Sequence, residues 1–211
     1  MTFRVKDDIN LASNSGALRF GLRVTFTPPS YPNDVMLHSL GMFNIMTGEV
    51  LSDRTARIAC ALELPDGTGS VRLASADPSI QPAIDYRYLH HENDIRRMRE
   101  GVRLACKILE LEAYRDVSVG RIAPVDGVLA SGDDLDLWIR QTVGNSRHVS
   151  GTCKIGPDSD PMAVVDQQCR VKGVSGLWVA DSSVMPHVTR PNTNITAIMI
   201  GERVADWVGG N

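Results

Sequence analysis

Two segments of the chain hold side chains suited to chemistry. The first runs Asn145-Ser146-Arg147-His148-Val149-Ser150-Gly151-Thr152-Cys153-Lys154-Ile155-Gly156. The second runs from Val179-Ala180-Asp181-Ser182-Ser183-Val184-Met185-Pro186 into Arg190-Pro191-Asn192-Thr193-Asn194-Ile195-Thr196. His148 lies in a loop rich in small polar residues. An imidazole in such a place can titrate near neutral pH and act as a general base. Loops concentrate catalytic groups, although a single histidine more often has a structural or exposed role. Pro191-Asn192-Thr193-Asn194 reads as a helix start. Its unpaired N–H groups and partial positive charge suit an anion or an electron-rich ring; an ordinary N-cap is the plainer reading.

Other constellations carry less. His90-His91-Glu92 suggests a metal, but side chains at i and i+1 diverge on a helix, so no metal is expected. The cysteines at 60, 106, 153 and 169 match no zinc spacing and include no C-x-x-C. Cys60, in RIACALEL, and Cys106, in VRLACKIL, read as small core residues. A Ser-His-Asp hydrolase would need a nucleophile elbow, and no G-x-S-x-G occurs. Ser146 and Ser183 are expected to be loop hydrogen-bonders, and Arg147 a surface or interface charge.

The elements that must position these loops can be read from periodicity. Residues 17–27 alternate apolar and polar as a half-buried strand does. Further strands are expected at 35–46, 54–64 and 69–73, separated by turns such as Pro65-Asp66-Gly67. From Asn93 to about Leu111, Ile95, Met98, Val102, Ala105 and Leu109 trace one helix face, with Asn93 as N-cap. A second helix begins near Ser131 and carries Leu135, Trp138, Ile139 and Val143 on one side. Gly176 to Ala180 reads as a short strand. Asn194 to Val208 reads as a helix with Ala197, Ile198, Gly201, Val204, Ala205 and Val208 on its packed face. Helices leaning on an antiparallel sheet make an α+β signature.

Composition narrows the function classes. The chain has 211 residues, 22 Lys+Arg and 25 Asp+Glu, for a net charge of −3. That balance argues against a general nucleic-acid binder and against a polybasic membrane module. With 43% hydrophobic and 22% charged residues the chain is too apolar for disorder. No stretch of about 18 uncharged apolar residues occurs, so no membrane span is expected. The start lacks the apolar core of a secretion signal, and a cytoplasmic location is expected.

Together the two loop segments resemble the C-terminal signature of the glucose–methanol–choline (GMC) family of flavin oxidoreductases. The matching residues are His148 with Gly151 to Gly156, Val164-Val165-Asp166, Arg170 to Val174, Gly176 to Pro186, Asn192-Thr193-Asn194 and Met199 to Glu202. Gly69 to Leu73, Asp77-Pro78 and Pro82 resemble the family's substrate-domain strand, and the match is dense from about 69 to 208. The resemblance implies FAD as cofactor and a small-molecule alcohol as substrate. It implies that His148 takes the hydroxyl proton while Asn192 stands opposite, and that hydride passes to flavin N5. It places Ala180 and Asp181 near the phosphate–ribityl chain, and Asn192, Thr193 and Asn194 near the ring. His187 is expected to be peripheral.

The expected fold is an antiparallel substrate-domain sheet with helices on one face, plus the C-terminal strand and helix of an incomplete FAD-binding α/β domain. The corresponding portions are residues 1–146 and 147–211. The family's G-x-G-x-x-G turn, which cradles the FAD pyrophosphate, does not occur. Two readings follow: the catalytic part of an alcohol oxidoreductase completed by a separate FAD-binding chain, or a non-catalytic remnant or interaction subunit. Retention of both His148 and Asn192 favours the first. Met36, Leu37, Met42, Phe43 and Met46 hint at a pocket for an apolar alcohol, although a buried sheet face would look the same.

Overall fold

A helix whose apolar residues recur every three or four positions needs a surface to cover, and the longest helix among the described residues finds one on a sheet. The computed structural model describes residues 1–5, 24–26, 35–40, 55–116, 118–190 and 192–210. In chain order the elements are β1 (Thr2–Val5), β2 (Val24–Phe26), β3 (Val35–Leu40), β4 (Thr55–Leu62), β5 (Ser70–Arg72) and β6 (Ala83–Asp85). Then follow α1 (Glu92–Leu109), α2 (Glu112–Arg115), β7 (Ser118–Ala123), α3 (Asp126–Ala130), α4 (Gly132–Thr142), a 3-10 turn (Ser182–Val184) and α5 (Asn194–Gly209). They divide into two units, one of Met1–Leu62 with Leu89–Val143, the other of Glu63–Tyr88 with Gly144–Asn211.

The first unit is built on an antiparallel sheet in the order β2-β3-β4-β1-β7. In the β3–β4 pair Leu37 stands opposite Cys60, and Ser39 opposite Ile58. Helix α1 packs against β3, β4 and β7, and α4 packs on α1. Ile95, Met98, Val102 and Ala105 are buried as their spacing predicts. The helix comes close enough to the sheet that a Cβ on Gly101 would lie 2.5 Å from Cys60 Sγ and 2.9 Å from Val35 Cγ1. One buried ion pair interrupts this apolar surface: Arg97, fully buried, donates to Asp94 at 2.6 Å. A second pair joins the two helices, with Arg99 donating to both carboxylate oxygens of Asp136 at 2.7 and 2.6 Å.

The expected antiparallel sheet with helices against it is present. The cap of α1 differs from expectation. His91, not Asn93, is the N-cap, and its Nδ1 accepts the Asn93 N–H at 3.3 Å. Ser131 caps α4 by accepting from the Asp134 N–H, as its position before an apolar run suggests. Leu37 belongs to a core cluster with Ile58, Ala105, Ile108 and Tyr114, so it fills the sheet–helix interior and does not line a pocket. Met42, Phe43 and Met46, and the expected strand positions 17–23 and 41–46, lie outside the described residues.

The second unit has a two-stranded sheet, β5 with β6, and a loop-rich core made by Val165, Cys169, Val184 and Val204. The strand expected at 176–180 is reduced to a single antiparallel bridge between Arg170 and Trp178. Val171 N–H donates to Leu177 O, and Val179 N–H to Cys169 O, on either side of that bridge. Left-handed turns at Gly173 and Gly176 close the loop between the two segments, so the ladder has no room to extend. Helix α5 forms where expected, but its packed side carries Ile200, Val204 and Trp207. The larger Ile and Trp side chains bury more apolar area than the small residues at 197, 201 and 205 would. Ile198 and Val208 are consequently more than half exposed. Among the described residues no helix is long and apolar enough to cross a membrane.

Candidate active site

The loop bearing His148 is held on both flanks. Ahead of it, the Arg147 N–H donates to Asn145 Oδ1 at 3.0 Å, and Arg147 adopts a φ of 64°. That left-handed conformation is uncommon for a residue with a Cβ. Behind it, the Ser182 hydroxyl donates to Val149 O at 3.1 Å. The loop then runs beside the 3-10 turn, with the Cys153 N–H donating to Ser183 O and the Ile155 N–H to Val184 O. Gly151 permits this approach, with a φ of 87° and Met185 O at 3.4 Å from where a Cβ would stand.

The imidazole of His148 is half-buried, and its Nδ1 lies 3.1 Å from Thr193 Oγ1. Thr193 is 6% exposed and occupies the N-cap position of α5. Its side chain makes no capping bond, and its backbone is already helical, with φ −73° and ψ −10°. The hydroxyl is turned to the histidine and not to the first turn of α5. Asn192 and Asn194 flank Thr193 and are exposed. The structure therefore brings His148 to the start of α5 within the second unit.

Ala180 and Asp181 are exposed at the entrance of the 3-10 turn. The Asp181 carboxylate caps that turn by accepting from the Ser183 N–H at 2.8 Å. The 3-10 turn that Asp181 caps meets the His148 loop through Ser182 and Val149. His187 is exposed. Ser182, not Ser146 or Ser183, supplies the hydroxyl that pins the loop. The residue that sequence reasoning missed is Thr193 as a side-chain partner of His148. The family resemblance places Thr193 near the flavin ring, and a contact across 45 positions leaves no periodic signal.

The donor set can be tested against a flavin ring. The first turn of a 16-residue helix presents N–H groups that the Thr193 side chain leaves uncapped, beside the exposed carboxamides of Asn192 and Asn194. Such donors match the carbonyl and nitrogen acceptors along the pyrimidine edge of an isoalloxazine. The Asp181 carboxylate suits hydroxyl groups and would repel phosphate. The residues present fit the ring edge and a hydroxylated chain.

A family model described as GMC oxidoreductase matches residues 65–201, more than half of the chain. An oxygen-dependent choline dehydrogenase of Rhizobium johnstonii is 43% identical over 147 residues, covering 70% of this chain and 27% of that protein. The formate oxidase of Aspergillus oryzae RIB40, studied for the modification of its FAD, superposes with a TM-score of 0.73 at 25% identity, over 95% of this chain and 34% of its own. The pyridoxine 4-oxidase of Mesorbium loti gives a TM-score of 0.74 at 24% identity, over 85% of this chain and 35% of its own, a likeness of fold. The chain thus spans about a quarter to a third of the length of the proteins it matches.

Proposed function

The chain belongs to the GMC oxidoreductase family and matches its C-terminal part, and we propose that it carries the general base and part of the FAD site of an alcohol oxidoreductase. The observation that carries this reading is the half-buried imidazole of His148, anchored through Nδ1 at the uncapped start of α5. With Nδ1 so engaged, Nε2 is the nitrogen presented to a substrate hydroxyl. Loss of the hydroxyl proton to Nε2 raises electron density on the alcohol carbon and eases departure of its hydride. The Asn192 carboxamide donates to the alkoxide oxygen without competing for the proton. FAD, when bound, supplies the acceptor for that hydride, leaving a carbonyl product. Asn192 and the Thr193 and Asn194 amides would hold its ring edge, and Ala180 and Asp181 its hydroxylated chain. In this reading residues 1–146 shape the substrate side and 147–211 hold the catalytic loop; geometrically, residues 63–88 lie in the same unit as that loop.

The similarity to choline dehydrogenases favours a small primary alcohol of the choline class as substrate. The test is choline-dependent dye reduction by the chain with FAD, alone and with a co-expressed FAD-binding chain of the family. Activity is expected with the flavin-binding chain present. His148→Ala should then lower turnover by about 10²–10⁴-fold, the usual contribution of a general base. Asn192→Ala should lower it by about 10²–10³-fold, as for loss of one oxyanion donor. Undiminished turnover in His148→Ala would overturn the reading.

A further inference from the structure

We infer that Thr193 is a positioning residue that fixes the tautomer of His148, its Oγ1 accepting the Nδ1–H so that Nε2 keeps its lone pair. This rests on the reading of His148 as the base. Thr193 is 6% exposed, and a buried hydroxyl needs a partner. At an N-cap that partner is ordinarily a backbone N–H of the first turn; here the side chain makes no such bond and meets Nδ1 at 3.1 Å.

Two proton arrangements satisfy that distance. If the hydroxyl donates to Nδ1, the ring carries its hydrogen on Nε2 and cannot accept a proton there. If Nδ1–H donates to Oγ1, Nε2 is free to accept. Only the second arrangement survives proton uptake unchanged, because both nitrogens of an imidazolium are donors. Nothing at the Nδ1 side need then reorganise when the proton moves. The loop holds the ring where this contact forms. Asn145 and Arg147 hold the backbone before it, and Ser182 holds Val149 after it. Thr193 is β-branched, which restricts rotation of the hydroxyl-bearing carbon.

Two-bond ¹H–¹⁵N correlation spectra of the full chain, at a pH where the ring is neutral, distinguish the tautomers directly. The His148 signals are identified by their loss in His148→Gln. The wild type is expected to show Nδ1 protonated and Nε2 bare, the reverse of the preference of an isolated imidazole in water. Thr193→Ser should retain that pattern, and Thr193→Val should release the ring to the Nε2–H form. In the flavin-loaded assay Thr193→Val should lower kcat by at least about tenfold with little change in KM, and Thr193→Ser should recover most of it. A wild-type ring protonated on Nε2 overturns the inference, and it does so even if Thr193→Val fails to fold. So does a Thr193→Val pattern identical to wild type. If the tautomer follows Thr193 while His148→Ala keeps full turnover, the assignment of the base fails and the hydrogen-bond assignment stands.

Discussion

At the scale of single residues, buried polar groups serve different ends: Thr193 faces His148, whereas Arg97 and Asp94 face each other. Arg97 and Asp94 form an ion pair inside the packed face of α1. Truncating one member leaves the other charge buried, which costs about 3–5 kcal/mol. Arg97→Met is therefore expected to lower unfolding free energy by that order in a denaturant titration, and Arg97→Met with Asp94→Leu to recover much of it. Cys60 is a partly buried group of a different kind. Its thiol is pushed up to about 12 from the ordinary 9.0 by burial against the sheet–helix core. The folded state thus holds the proton more tightly than the unfolded chain. Its contribution is intact below pH 9.0 and is lost as pH rises toward 12. Alkaline denaturation should be shallower in Cys60→Ala, and Cys60 should resist alkylation at neutral pH in mass-spectrometric labelling. The candidacy of His148 as a base is legible in the sequence because residue type and small polar neighbours suggest it. The hydroxyl that faces the ring is not, because nothing local at Thr193 distinguishes a cap from a partner 45 residues away.

At the scale of elements, α1 depends on how near it comes to the sheet. Gly101→Ala gains helix propensity of about 1 kcal/mol, yet its methyl would press on Cys60 Sγ and on the stiff Val35 side chain. Overpacking of this kind costs about 1–3 kcal/mol. A net loss is expected in thermal or denaturant melts, with Cys60→Ala in the same chain relieving part of it. The α1–α4 contact has its own pH signature. The two hydrogen bonds from Arg99 hold the Asp136 carboxyl below its ordinary value. Its stabilisation is present above the unfolded carboxylate pKa and is lost as pH falls through the folded one. Asp136→Asn should be less stable near neutrality and should lose less on acidification, read from unfolding midpoints across the acid range. These helices were visible in the sequence because their apolar spacing and the cap at Ser131 agree. The cap of α1 was misplaced by two positions because Asn93 outranks His91 in capping preference, whereas the imidazole Nδ1 does the capping here. Residues 176–180 looked like a strand from composition alone, but a strand needs a ladder, and two tight glycine turns leave one bridge.

At the scale of the whole molecule, apolar surface is unevenly distributed. On α5, Ile195 is 79% exposed, Ile198 57%, Met199 51% and Val208 55%, while Val204 is buried. Ile195, Ile198 and Met199 fall within the first two turns of the helix, and clustered apolar exposure promotes association. Ile195→Lys with Ile198→Lys should reduce self-association in sedimentation and binding of a hydrophobic dye, with the circular dichroism of the chain unchanged. The two units are also interleaved along the chain. The backbone leaves the first unit at Leu62, returns at Leu89 and leaves again at Val143. During synthesis β5 and β6 emerge from the ribosome before α1 to α4 of the first unit, and they must wait for residues from 144 onward to complete their own unit. The second unit thus closes after the first, and no single cleavage of the chain can separate it from every segment of the first.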